Sequence, residues 1–497
     1  MSRRGSRSPS LTEDERTPLI RPINGVTAHD DASQPLPFLQ VTLLCAGRCV
    51  EGVAFFAIFP FINEMIHKTA GVPKDEVGFW SGLIESMFSF TQMLVMIFWG
   101  RASDRVGRKP ILVFCLVGLG LSVAAFGFAR SKWEMLLLRS LAGVFGGTVV
   151  TIRTMLSENS TPLTQARAFS SFAVASNLGI FIGPIIGGAL SNPATQYQHS
   201  PFSRWQLFTD FPYVLPGLVN GTATLLVALA CSIFLKETLP SRGQPSVPGE
   251  HPTAQKPTMT TWEVIMAPGV RAALATFLYA GMLGFCFTAI IPVYSFTPVD
   301  MGGLGFTPPQ ISGMMAALGL AQATWMVLIF PPLQKRIGTG SLLKYCAAAW
   351  PLAFLVVASQ NVLLRTGHDF AFRFVLVLAA IVPSGIAMAF AGVQLLLNDA
   401  SPSAGAFGTL NGVALSLQSA TRAISPAVAS SIYAWGVSRQ ILWGLFGWVF
   451  LIVLASGFRT TLFRLPAKSK VSPLRAELER QAFRAAEEGR PRQDDNN

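Results

Sequence analysis

Charge is what this sequence has least of. Only 13% of its 497 residues are Asp, Glu, Lys or Arg, about half of what a soluble domain needs to face water. With 51% hydrophobic residues beside that shortage, most soluble readings are excluded. Cysteine is sparse as well: Cys45, Cys49, Cys115, Cys231, Cys286 and Cys346 stand singly, apart from one pair a helical turn apart. Neither a disulfide framework nor a zinc spacing follows from that. No G-x-x-x-x-G-K-[ST] run is present to cradle ATP phosphates. No His/Asp metal cluster or nucleophile–base constellation falls within the apolar runs, which weighs against an enzyme. No cofactor and no resident metal are expected. The polar run from Ser2 to Asp31 lacks the apolar core of a cleavable signal peptide, leaving the first apolar segment to direct insertion.

What is there in abundance is long apolar runs. A helix needs about 20 mostly apolar residues to cross ~30 Å of hydrocarbon. Twelve stretches qualify, near 37–62, 79–100, 111–129, 133–157, 166–191, 211–235, 270–296, 309–332, 342–362, 371–398, 404–432 and 441–463. The expected fold is an all-α polytopic membrane protein. An even count puts both tails on one side, and the side holding the tails and the even-numbered loops carries 25 of the 38 Lys and Arg against 8 opposite. The positive-inside rule makes that side cytoplasmic. The net charge of +12 is thereby topology, not a signal for nucleic acid. Asn159, at the head of an Asn-Ser-Thr acceptor, then faces the cytoplasm and stays unglycosylated.

The chain divides into a cytoplasmic head (1–36), a six-helix bundle (37–235), a Pro/Ser/Thr-rich linker (236–268), a second six-helix bundle (269–463) and a cytoplasmic tail (464–497) in which Leu474 to Ala486 is amphipathic. The bundles resemble each other internally, as transporter halves do. The loop Gly100-Arg-Ala-Ser-Asp104-Arg105-Val-Gly107-Arg108-Lys109 has an echo in Lys335-Arg336-Ile-Gly338, and Pro184 matches Pro426. In that loop, Gly100 and Gly107 suit tight bends. Asp104 followed by the cations Arg105, Arg108 and Lys109 suits a latch that bonds neighbouring helix ends in one conformation and releases them in another.

The spacing G-x-x-x-D-R-x-G-R-K resembles the signature between helices two and three of the major facilitator superfamily. Arg139 to Gly143 is similar to the R-x-x-Q-G motif of its drug/proton antiporters, with Ala142 where Gln is usual. Gly179, Gly183, Pro184, Gly187 and Gly188 resemble the antiporter motif, whose first glycine is replaced here by Ser170. Ser191-Asn-Pro, Phe211 to Pro216, Thr297 to Phe306, and Asn411-Gly412 with Arg422 and Pro426 resemble the fungal and plant branch that contains the zinc-induced-facilitator-like proteins. The likeness spans residues 37–463. It implies two pseudo-symmetric six-helix bundles rocking about a midplane cavity, with exchange of protons for a small organic molecule such as a drug, metabolite or metal chelate.

Beside that resemblance, the residues carry their own argument. Gly179, Gly183 and Gly187 recur every four residues, so they line one helix face and let another helix approach closely. A charge at membrane depth costs ~2.5–3.5 kcal/mol on insertion scales and so marks the interior. Arg48 and Glu51 share one face of the first span and can neutralise each other. Glu85 and Arg139 lie at similar depth, and Arg139 can pair with Glu85 or reach toward the deeper Glu51. Alternating contact between a buried carboxylate and an arginine is a workable proton switch, with Glu51 the first choice of carrier and Glu85 the second. Arg153 reads as snorkelling to the cytoplasmic surface. Arg422 has no acid on its own helix and awaits either an anionic substrate group or a backbone carbonyl. Asn177, Gln394, Asn398 and Gln418, with Tyr279, Tyr294 and Trp325, are candidates to line the cavity.

The head also holds Glu15, Leu19 and Ile20 in the pattern E-x-x-x-L-[LI], which resembles an acidic dileucine signal for vacuole or lysosome delivery. The vacuolar membrane is therefore favoured over the plasma membrane. The expected partners are a small-molecule substrate, protons and the bilayer, with the protein a monomer. A proton-independent facilitator is the main rival reading. A non-transporting receptor or scaffold is the remote one.

Overall fold

A computed structural model describes residues 36–160, 164–199, 204–239, 260–402 and 406–463. Glu15, Leu19, Ile20 and the 474–486 segment lie outside them. All regular structure among the described residues is helical, and twelve long helices follow the twelve apolar runs. They are α1 Phe38–Phe56, α2 Val77–Val106, α3 Arg108–Phe126, α4 Lys132–Glu158, α5 Gln165–Leu190, α6 Val214–Phe234, α7 Val270–Phe296, α8 Pro308–Ile337, α9 Thr339–Arg365, α10 Asp369–Asp399, α11 Phe407–Ser438 and α12 Phe446–Phe463. Eleven are long and apolar enough by composition alone to cross a membrane. The remaining one, α11, lies in the groove between α2 and α7. The face at which α1 begins is called the near face below, and its opposite the far face.

Where the helices start, stop and break follows local chemistry. Ser131 accepts from the Glu134 amide and opens α4, and Thr307 with Gln310 forms a capping box ahead of Pro308. Pro331 and Pro332 remove two amide donors, and a π turn at Trp325–Ile329 takes up the mismatch inside α8. α4 breaks at residues 145–147, where Gly146 and Gly147 let the side chains of Gln92 and Trp99 press on its backbone. One expectation is corrected here. The segment from Gly100 is not a loop with glycine bends: α2 runs helically through Gly100 to Val106, and the link to α3 is the single residue Gly107. Gly107 has φ +127°, and its echo Gly338, between α8 and α9, has φ +75°. The two halves therefore turn at the same register by the same left-handed device, which L side chains resist.

Helices α1–α6 and α7–α12 pack as two bundles. Within the first, α5 lies against α1 along the predicted glycine face. A Cβ on Gly179 would stand 2.8 Å from the Cys49 carbonyl and from the Gly52 Cα, and Gly183 and Gly187 press on Val53, Phe56 and Ala57. In the second, Trp448, Tyr294, Tyr433 and Phe354 form a buried aromatic centre. On its far face the Thr297–Phe306 turn is fastened by Asn361 to the Val299 and Gly303 carbonyls and by Arg365 to the Val299, Asp300 and Trp443 carbonyls.

Gly179→Leu should push α1 from α5 and lower the thermal stability of the purified protein by about 1–3 kcal/mol. Gly313→Ala, at a position with nothing within 4 Å of the new methyl, should leave it unchanged or slightly raised. Equal melting temperatures for the two variants would refute the close-packing role.

Candidate functional site

The bundles meet along two seams, α2 with α11 and α5 with α8. Small residues on α2 make the first: a Cβ on Gly82 would lie 2.6 Å from the Ser430 Cβ and 2.7 Å from the Pro426 carbonyl, and Gly78 faces Val293 and Ala434. Pro426 removes its own donor from the α11 ladder, and the adjacent Ala427 amide donates to Ser86 Oγ across the seam, 2.9 Å. In the second seam Ser312 of α8 donates to the Pro184 carbonyl, 2.6 Å, and rests against Gly188. These contacts fall in the far-face halves of the four helices, so the interface is closed on that side.

At the near-face end of the first seam sits a chain of polar groups. Arg48 Nε donates to Ser176 Oγ of α5 at 2.8 Å, and its Nη1 reaches Glu51 Oε2 at 3.0 Å. Glu51 is buried, and its other oxygen accepts from Gln92 Nε2 at 3.2 Å. The same Nε2 donates to the Gly146 carbonyl at the α4 break, 2.8 Å. Gln92 Oε1 then accepts from Arg422 Nη2 at 3.0 Å, and Arg422 Nε donates to Ser89 Oγ at 2.9 Å. The Arg422 guanidinium stands 4.6 Å over the Phe55 ring, an added attraction of about 0.5–2 kcal/mol. A continuous run Ser176–Arg48–Glu51–Gln92–Arg422–Ser89 thus crosses from one bundle into the other.

The expected Arg48–Glu51 pair is present. Arg422 meets a hydroxyl and an amide of α2 in place of the backbone carbonyl expected as one alternative. Arg139 is buried, donates to the Phe55 carbonyl at 3.1 Å and lies between the Phe55 and Phe88 rings. It is within electrostatic reach of Glu85, but no ion pair joins Glu85 to any of the described residues. Arg153, read as snorkelling, is half-buried. It lies 5.2 Å over Phe172 with its Nε buried, and Arg48 lies on the same ring at 5.5 Å. Gln394 donates to Asn398 and to Asn411, each at 3.0 Å, and Gln418 approaches Gly281. Asn411 is eleven residues from Arg422 on α11, roughly 16 Å along the axis, so the polar candidates form two groups. Asn177 is exposed on α5, outside both. Tyr279 and Tyr294 bond the Leu454 and Val357 carbonyls, and Trp325 bonds that of Ile381, so all three hydroxyl or indole donors are engaged in packing.

On the near face, Asp104 ion-pairs with Arg108, and Arg108 also holds Glu158 at 3.2 Å and Ser103 Oγ at 3.0 Å. Beneath them Glu237 accepts from the backbone amides of Arg108 (2.9 Å) and Lys109 (3.0 Å), capping α3, and from those of Thr238 and Leu239. Partial burial raises the Glu237 pKa, but these four amides outweigh it and bring the carboxyl below its ordinary value. Glu158 and Glu237 carry no motif. Only the fold brings them to the arginine.

The model of the Major Facilitator Superfamily matches residues 44–364. The chain is 42% identical over 434 residues to "Efflux pump azaK" of Aspergillus niger, covering 86% of this chain and 89% of that one. It is 24% identical over 422 residues to "Protein ZINC INDUCED FACILITATOR 1" of Arabidopsis thaliana, covering 81% and 85%. Among solved structures, a D-xylose–proton symporter superposes with a TM-score of 0.65 at 14% identity, covering 88% and 98%.

Because the Glu237 carboxyl is held below its unfolded value, its contribution is present at neutral pH and is lost as pH falls through the folded value. Glu237→Ala should lower stability by about 1 kcal/mol at neutral pH, as loss of a helix cap does. The gap to wild type should close in acid, followed by thermal unfolding across pH. A gap that persists unchanged in acid would refute the cap.

Proposed function

The chain belongs to the Major Facilitator Superfamily, and from that premise we propose that it is a proton-coupled antiporter that moves a small organic molecule out of the cytoplasm. It is a multi-pass membrane transporter of small molecules, not an enzyme. The observation that carries the finer reading is Glu51: a buried carboxylate held between Arg48 and Gln92, at the place where the second bundle's Arg422 enters the first.

In this reading the near face looks into the cytoplasm, in keeping with the Lys/Arg asymmetry, and both termini lie there. The far side is shut, so substrate enters from the near face toward Arg422 and the Gln394–Asn398–Asn411 group. Glu51 takes the proton, with Glu85 in reserve beside Arg139. The glycines of α5 and the residues Asp104, Arg105, Arg108 and Lys109 serve as hinge and near-face latch. In the closed-far arrangement Arg108 is turned to Asp104 and Glu158 of its own bundle, which is the latch released. The dileucine pattern of the head directs the protein to the vacuolar membrane, and it works as a monomer.

The test is proton-gradient-driven uptake in inside-out vesicles. Glu51→Gln should abolish it with expression unchanged, and an ionophore should collapse it in wild type. Uptake that survives Gln at both Glu51 and Glu85 would overturn the coupling, and uptake indifferent to the ionophore would make the protein a facilitator.

A further inference from the structure

We propose that Gln92 is a tether through which the charge on Glu51 keeps the two bundles joined on the far side, so that the carrier cannot reorient empty; this rests on the reading of Glu51 as the proton carrier. The orientation of the amide is fixed by its neighbours. A carboxylate only accepts and a guanidinium only donates, so the Gln92 amide must turn its nitrogen to Glu51 and its oxygen to Arg422. Both bonds are charge-assisted, and the amide is polarised between an anion of one bundle and a cation of the other. The Gly146 carbonyl takes the second amide proton, and a Cβ at Gly146 would stand 2.7 Å from that nitrogen. Gln92 therefore has little room to swing away.

Opening the far side requires α11 to leave α2, which draws the Arg422 head off Ser89, Gln92 and Phe55. While Glu51 is charged, that separation also leaves the anion without the distant cation it polarises the amide toward. A proton on Glu51 removes the negative end of the chain, and the hold on Arg422 weakens. A substrate that competes for Arg422 or for the Gln92 oxygen has the same effect. Either load frees the seam, and the empty deprotonated protein stays closed. That is the condition for antiport without leak, since a carrier that crosses empty dissipates the proton gradient. The charged and titratable groups around Glu51 are Arg48 on its own helix, Cys115 on α3 and Arg422 on α11, with Glu85 on α2 and Arg139 and Arg153 on α4 behind them. From α5 the Ser176 hydroxyl reaches Arg48.

The experiment pairs two readouts on the full chain in lipid vesicles. Spin labels at the exposed far-face positions Lys74 and Arg439 report the opening of the seam, and a pH-sensitive dye inside the vesicle reports proton leak without substrate. Wild type should be closed in alkaline buffer, open further in acid and leak little. Gln92→Ala should shift the closed-to-open ratio in alkaline buffer by about tenfold, the worth of one charge-assisted hydrogen bond, and should leak protons without substrate. Arg422→Gln should reproduce both effects, and the double variant should add little to either, since both remove one link. Gln92→Ala that is folded, closed and tight like wild type would overturn the proposal. Glu51→Gln separates the two readings. It should be open in both buffers. If it stays closed while Gln92→Ala opens, Gln92 is a contact without coupling and the proposal fails. If Glu51→Gln opens the seam yet proton-driven uptake persists, the tether stands and the proton carrier has been misassigned.

Discussion

A carboxylate buried at membrane depth must have partners or lose its charge, and the arrangement of this protein's centre follows from how Glu51 meets that demand. Arg48 supplies the opposite charge one turn away, Gln92 supplies a donor, and through Gln92 the demand passes to Arg422 in the other bundle. Removing one member of such a chain exposes the others. In the proposed reading the interior is stiff with Glu51 charged and loose with it neutral, which is the property a coupled transporter needs.

That chain can reach across only because the helices come unusually close. Gly78, Gly82, Ser86 and Ser89 give α2 a flat face, and the Ala427 amide of α11, next to Pro426, meets it at Ser86. On the other side of the molecule Gly188 and Ser312 do the same for α5 and α8. With little hydrophobic drive between helices in lipid, such seams are held by van der Waals contact and a few hydrogen bonds, and can be broken and remade without exposing a large apolar surface to water.

Much of this was legible in the sequence. Apolar runs gave the twelve helices with ends up to six residues off, the every-fourth glycines of α5 gave a packing face, and the Arg48/Glu51 spacing gave the pair. Gly107 was recognised as a turn, but Gly100 was misjudged, because a glycine near a charged stretch looks like a bend when nothing local says that the helix continues through it. Gln92 was missed for a different reason. Its meaning depends on residues 41 positions before it and 330 after it, and an amide in a helix is interhelical glue until its two ends are known. Arg422 was seen as unpartnered for the same reason. Glu158 and Glu237 became partners of the Arg108 region only through tertiary contact.

The central claim is that one carboxyl, Glu51, sets whether the bundles are joined on the far side. Infrared difference spectroscopy of the purified protein in lipid nanodiscs, recorded while pH is lowered, reads that carboxyl directly through the stretch of its protonated form. A band that grows in wild type, is missing in Glu51→Gln, and rises with the same midpoint as far-side opening in parallel samples is the predicted result. A band that persists in Glu51→Gln, or far-side opening that completes before it appears, would contradict the account.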